Sequence, residues 1–154
     1  EMYTRPARPL DRFASPFPND NAARVANNGA LPPDLSLMTK ARKGGADYVY
    51  ALLTGYKEEA PTGVKMMDGL NYNHYFRGNQ IAMAPPLADD MVEYADGTKA
   101  TVPQLAEDVT TFLAWAAEPE LEERKRLGVK VLLFLIVLTA MLYAVKRQVW
   151  KDQH

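Results

Sequence analysis

Cysteine is missing altogether from this sequence of 154 residues. Its absence excludes a disulfide framework, a zinc–thiolate site, a cysteine nucleophile and thioether attachment of a prosthetic group by this chain itself. Also lacking are a Ser/His/Asp array, a phosphate-binding loop and a set of histidines at metal-ligand spacing. No internal repeat is visible, and no secretory signal opens the chain. It starts on Glu1 rather than methionine, so the expectation is a processed chain or a piece of a longer one.

What is present is unevenly spread. The apolar fraction of 47% is ordinary for a globular protein, but residues 1–126 are polar and punctuated by proline and glycine, whereas residues 127–145 are almost wholly apolar. Residues 1–126 hold 14 Lys and Arg against 18 Asp and Glu, a net of −4; the remainder holds 4 against 1, a net of +3. An acidic domain with a basic tail speaks against nucleic acid and suits a cationic protein partner.

The apolar run is free of charge from Val131 to Val145. At 1.5 Å per residue, residues 127–145 extend roughly 28 Å, close to the ~30 Å hydrocarbon core of a bilayer. Lys130 lies one turn inside the upstream end, where its long stem can return the ammonium to the headgroups. Tyr143 and Trp150, followed by Lys146, Arg147 and Lys151, form the aromatic and basic fringe expected at the other interface. A run without a polar face reads as a membrane span rather than a buried core helix. The short tail is expected inside, because a long amino-terminal domain translocates largely regardless of charge, although Arg124, Lys125 and Arg126 flank the opposite end.

Upstream, residues 5–18 are proline-rich and predicted irregular. Asn19 or Asp20 caps a short helix that runs through Val25 and stops at Asn27-Asn28-Gly29. Asp34 is predicted to cap a second helix across Leu35, Met38 and Arg42. Asp47 starts a third, through Val49, Leu52 and Leu53 to Gly55. Residues 70–96 read as extended chain and loop. Thr101 caps a fourth helix, with Pro103 in its first turn and Leu105, Val109, Phe112, Leu113 and Ala116 on one face. Such short helices on long loops suggest a chain wrapped around something large.

The stretch Gln80-Ile81-Ala82-Met83-Ala84-Pro85-Pro86 carries the one chemical signal. A methionine thioether is a soft neutral donor suited to axial ligation of haem iron, and two prolines after it lower the entropy of ordering its loop. Alone, such a methionine is more often a packing residue. The motifs around it, in order, are residues 23–36 (Ala23 to Ser36, with Asn27-Asn28-Gly29-Ala30-Leu31-Pro32-Pro33), Ala41-Arg42-Lys43-Gly44-Gly45-Ala46-Asp47-Tyr48-Val49, Leu52-Leu53-Thr54-Gly55-Tyr56, Asp96-Gly97-Thr98-Lys99-Ala100-Thr101 and Phe112 to Pro119. Together they resemble the carboxy-terminal part of the cytochrome c1 family, over nearly the whole chain.

The resemblance implies a mainly α fold. It comprises a partial cytochrome c-type haem domain over residues 1–118, a hinge at 119–126, one transmembrane helix at 127–147 and a short inner-side tail at 148–154. It implies that Met83 is an axial ligand of haem c, that Arg42 neutralises a haem propionate, and that Asn27, Ala30, Pro32, Pro33, Tyr48, Leu52, Leu53, Phe76, Ile81 and Pro86 line the haem crevice. The implied role is an electron-carrying, non-catalytic subunit of the ubiquinol–cytochrome c reductase (cytochrome bc1) complex. It would take an electron from a Rieske iron–sulfur subunit and pass it to a soluble c-type cytochrome. Cytochrome b and membrane lipid are implied as further partners, in a dimeric complex. The implied site is a bacterial or mitochondrial inner membrane, with the soluble part on the periplasmic or intermembrane-space side.

Two departures stand out. The family's Cys-x-x-Cys-His attachment motif, which also supplies the histidine ligand, is not in this sequence and is expected from a missing or separate segment. His74 and Arg77 occupy positions where the family usually has proline, and a lone loop histidine such as His74 reads as solvent-facing. The competing expectation is a haem-free structural or assembly subunit. The absent cysteines favour it, while the intact Met83 loop and Arg42 speak against it.

Overall fold

The computed structural model describes residues 6–9 and 11–151; Arg5 and residues 152–154 of the expected tail lie outside that range. Helices dominate: α1 (Asp20–Ala26), α2 (Met38–Ala41), α3 (Gly45–Thr54), α4 (Val102–Ala117) and α5 (Leu121–Trp150), with two short strands, β1 (Asn71–Tyr72) and β2 (Gln80–Ile81). The chain divides into two compact units, residues 1–117 and 118–154.

In the first unit, α1 begins where Asn19 accepts a hydrogen bond from the Ala22 amide through Oδ1 at 2.9 Å. That satisfies one of the amides a helix start leaves orphaned. The α1 end is closed by Asn27 and by the left-handed Asn28 (φ 51°) and Gly29 (φ 87°). The second helix departs from expectation. Asp34 does not cap it; its Oδ1 accepts from the Ser36 amide at 2.8 Å and the Ser36 hydroxyl at 2.6 Å. An aspartate can bond its own backbone two residues on, and that turn competes with helix at this position. The same bonds hold the Asp34 carboxyl below its ordinary pKa. Only a single turn, α2, remains, and Arg42 follows it in extended backbone. The third helix starts earlier than Asp47, behind the left-handed Gly44 (φ 94°), and places Asp47 in its first turn.

The core sits where α3 packs on α4, with α2 against both. Val49 of α3 and Leu105, Ala106, Thr110 and Leu113 of α4 are buried there. The inward stripe of α4 is thus rotated from the predicted one: Phe112 is half exposed and stacks on Phe13 at 5.9 Å, and Ala106, with no exposed surface, takes the tightest place. Thr101 caps α4 through its hydroxyl to the Gln104 amide (3.4 Å), while Asp89 Oδ1 accepts from the Val102 amide at 2.7 Å. The Thr110 Oγ1 is buried with no hydrogen-bond partner among the described residues. The buried apolar set is small, and Leu31, Leu35, Leu37, Met67, Met83, Met91 and Trp115 remain exposed.

The second unit is built on α5, 30 residues long, or ~45 Å at 1.5 Å per residue. It is long and apolar enough to cross a membrane, and none of its apolar window is buried in protein. It starts at Leu121, so helix takes in most of the stretch expected as a hinge. Glu122 and Glu123 in the first turn favour this start, because carboxylates complement the positive end of the helix dipole, and Arg124 pairs with Glu118 at 2.6 Å.

Candidate functional site

Residues 70–83 form a small platform beside the end of α3. β1 and β2 pair antiparallel, Asn71 opposite Ile81 and Tyr72 opposite Gln80, and Tyr56 bridges to Asn73 next to them. The hub is Asn73, whose side chain is fully buried. Its Nδ2 donates to the Leu52 carbonyl at 2.7 Å, and its Oδ1 accepts from the Tyr75 and Phe76 amides at 3.0 and 3.2 Å. Its own amide donates to the Asn79 carbonyl at 3.0 Å. One residue therefore closes the 73–79 turn through its amide and ties it to the last turn of α3 through its side chain. Gly55 is required at this junction: a Cβ there would lie 2.6 Å from the Tyr75 ring and 2.7 Å from the Ala51 carbonyl oxygen. Gln80 clamps the neighbouring loop, accepting from the Met67 amide (2.9 Å) and donating to the Lys65 carbonyl (3.1 Å).

Met83 follows β2 directly. Its carbonyl oxygen accepts two hydrogen bonds, from the Tyr56 hydroxyl at 3.1 Å and from Asn71 Nδ2 at 3.3 Å. Burial pushes the Tyr56 phenol up to about 12, so it is a neutral donor over the whole physiological range. Ile81 is buried and anchors the loop, whereas the Met83 side chain is 41% exposed. Met83 is thus a part-exposed residue whose backbone is held at its carbonyl.

The other residues implicated by resemblance fall in separate places. Tyr48, Leu52 and Leu53 lie half-buried on α3. Leu52 and Phe76 are tied together through Asn73. Asn27 and Ala30 are half-buried at the end of α1, where the Ala30 amide donates to the Asn27 carbonyl. Pro32, Pro33, Arg42 and Pro86 are exposed. Among the described residues the Arg42 guanidinium has no carboxylate partner and makes one long bond, to the Ala41 carbonyl at 3.4 Å. No hydrogen bond or ion pair among the described residues links Arg42 or the 27–33 stretch to the Met83 loop. An open cleft of about 500 Å³ runs beside the platform, lined by Tyr56, Met66, Leu70, Asn71, Pro85 and Leu87 among others, and of the implicated residues only Leu53 borders it. His74 is exposed, its ring edge-on to Tyr75 and its amide donating to the Gly55 carbonyl.

Sequence reasoning missed Tyr56, Asn71 and Asn73 as the residues that hold the loop. The one available signal was the pair of asparagines in Asn71-Tyr72-Asn73, since asparagine is the side chain best able to bond nearby backbone.

Fold and site together define a class: a mainly helical domain that carries a soft thioether donor on a pinned loop, followed by a membrane-length helix. The model of the cytochrome c1 family matches residues 1–153, and the chain belongs to that family. It is 51% identical to the cytochrome c1 of Rhodospirillum rubrum over 99% of this chain and 61% of the relative. It is 58% identical to the mitochondrial cytochrome c1 heme protein of Saccharomyces cerevisiae over 95% of this chain and 47% of the relative. It is 49% identical to the cytochrome b/c1 of Bradyrhizobium diazoefficiens over the whole of this chain and 25% of the relative. The chain thus spans from a quarter to about three-fifths of these relatives.

The family implies haem c, and the donor set tests that implication. No group of three or more His, Cys, Asp or Glu side chains able to hold a metal ion exists among the described residues. Among its seven methionines, Met83 is the one whose own carbonyl is pinned by side chains among the described residues, and Arg42 is a guanidinium with no carboxylate partner among them. These fit part of a haem site, an axial sulfur and a cation for a propionate, and they do not supply the attachment thiols or a second axial ligand.

Proposed function

We propose that this chain is the ligand-loop and anchor portion of a haem-carrying subunit of a cytochrome bc1 complex. The observation that carries the reading is the Met83 loop, pinned at its carbonyl by two donors and exposing its thioether, in a chain of the cytochrome c1 family. Met83 would be the axial sulfur ligand, and Arg42 would hold a propionate through its guanidinium fork. Asn27, Ala30, Pro32, Pro33, Tyr48, Leu52, Leu53, Phe76, Ile81 and Pro86 would line the crevice. Their scattered exposure agrees with a surface waiting for a large apolar group and for the segment bearing Cys-x-x-Cys-His.

Bound haem supplies one-electron chemistry, and a thioether ligand raises its reduction potential. The chain's own residues orient and shield. The platform fixes the height of the Met83 backbone, the apolar lining excludes water, and Arg42 balances negative charge. Electrons would arrive from a Rieske iron–sulfur subunit and leave to a soluble c-type cytochrome, for which the acidic first unit suits a cationic partner. α5 would anchor the subunit beside cytochrome b in a dimeric complex, single-pass, with the first unit on the periplasmic or intermembrane-space side and the basic tail inside. In this plan residues 1–118 are the partial haem domain, 119–126 the hinge, 127–147 the span and 148–154 the tail. The helical start at Leu121 would confine any pivot to residues 118–120.

The test is co-expression with a segment bearing the attachment motif, followed by absorption spectroscopy of the purified protein. A Soret band that co-purifies with this chain in stoichiometric amount supports the reading. Assembly into a complex without haem would support the structural-subunit alternative that the absent cysteines favour.

A further inference from the structure

The Met83 loop has little means of holding itself. Pro85 and Pro86 have no backbone N–H to give, and residues 83–88 adopt no regular structure. Among the described residues, the only hydrogen bonds made by residues 83–88 are the two that the Met83 carbonyl accepts, from Tyr56 at 3.1 Å and Asn71 at 3.3 Å. A carbonyl oxygen has two lone pairs, and both are engaged here. The donors come from different parts of the chain: Tyr56 follows Gly55 at the end of α3, and Asn71 belongs to β1. They meet on the one backbone atom that fixes where the Met83 side chain begins. A methionine side chain has several free torsions and a weak donor atom, so its residence on a metal depends on how firmly its backbone is held.

We propose that Tyr56 and Asn71 are positioning residues that form a two-donor clamp on the Met83 carbonyl and keep the thioether in place as a ligand. The proposal rests on the reading of Met83 as the axial ligand. The clamp sets how often the loop opens, and therefore how readily an outside ligand displaces the sulfur. Losing one donor removes one hydrogen bond from the closed state only, because water satisfies the carbonyl when the loop is open.

The experiment uses the assembled haem protein with its attachment segment and compares Tyr56→Phe, Asn71→Ala and the double variant with the parent. Imidazole is the probe, titrated against the ferric protein while the long-wavelength sulfur-to-iron band is followed. Each single variant is expected to raise the apparent imidazole affinity roughly three- to tenfold, the effect of one net hydrogen bond, and the double variant more. Amide exchange in the peptide covering residues 82–87 should quicken, while exchange in α4 stays at the parent rate, which a general loss of stability would not produce. If one single variant fails to fold, the other carries the test alone, since removing either donor must loosen the loop. Met83→Leu separates the two levels. A band that survives Met83→Leu overturns the ligand reading and the clamp with it. A band lost in Met83→Leu, with imidazole affinity at the parent value in folded Tyr56→Phe and Asn71→Ala, overturns the clamp alone.

Discussion

α5 and the Met83 platform are held by opposite kinds of physics. α5 has one long apolar surface, satisfies its backbone internally as a helix and has none of its apolar window buried. A lipid environment is the solvent such a surface requires. The platform has almost no apolar burial of its own beyond Tyr72 and Ile81. Its loops are fixed by side chains bonding to backbone: Asn73 to Leu52 and to Tyr75 and Phe76, Gln80 to the 65–67 loop, Tyr56 and Asn71 to Met83. The difference teaches where each can be disturbed. A helix defined by composition tolerates any single conservative change, whereas a platform defined by a few bonds fails one side chain at a time.

The largest expected effect is on α5. Ending the chain at residue 117, the close of the first unit, should release the assembled protein from membranes into the aqueous fraction, as measured by carbonate extraction. Retention in the membrane pellet would place the anchor elsewhere and erase the contrast.

On the platform, Asn73→Ala should be the most damaging single change. It removes the bond to the Leu52 carbonyl and leaves the Tyr75 and Phe76 amides without their acceptor, so the loss should be on the order of 3 kcal/mol or more. Thermal denaturation of the assembled protein checks this. A shift no greater than that of an exposed control such as Lys57→Ala would show that the hub is not structural.

A smaller effect of opposite sign is expected at Thr110, whose buried hydroxyl has no partner among the described residues. Thr110→Val keeps the shape and removes the orphan oxygen, and should stabilise the first unit by about 1 kcal/mol. A destabilisation would mean that the hydroxyl finds a partner in the assembled protein.

How much of this was legible in the sequence follows the same contrast. α5 could be read from composition alone, and α1 and α4 from their caps, because these are local signals. The helix at Asp34 was misjudged because an aspartate serves equally as a helix cap and as a turn former, and Ser36 two residues on settled the competition. On α4, the periodicity was correct but its phase was not. Ala106 is too small to stand out as apolar, and Phe112 reads as core although it pairs with Phe13 at the surface. The reading of Met83 as a ligand rests on resemblance rather than pattern, and it stands as a proposal. The residues that hold its loop are hard to read from the sequence: Tyr56 and Asn71 are separated from Met83 by 27 and 12 positions, and the asparagines of Asn71-Tyr72-Asn73 mark backbone bonding without saying to which segment.

The central claim is that the pinned loop exists to present a ligand. It is tested most directly by measuring the reduction potential and the ferric sulfur-to-iron band of the assembled protein with Met83→Leu. Leucine matches the size of methionine but has no donor atom, so membrane insertion and fold should persist. The account predicts a large fall in potential and loss of the band, as expected when a thioether leaves haem iron. An unchanged potential with the band intact would contradict it and leave Met83 as a packing residue on a structural scaffold.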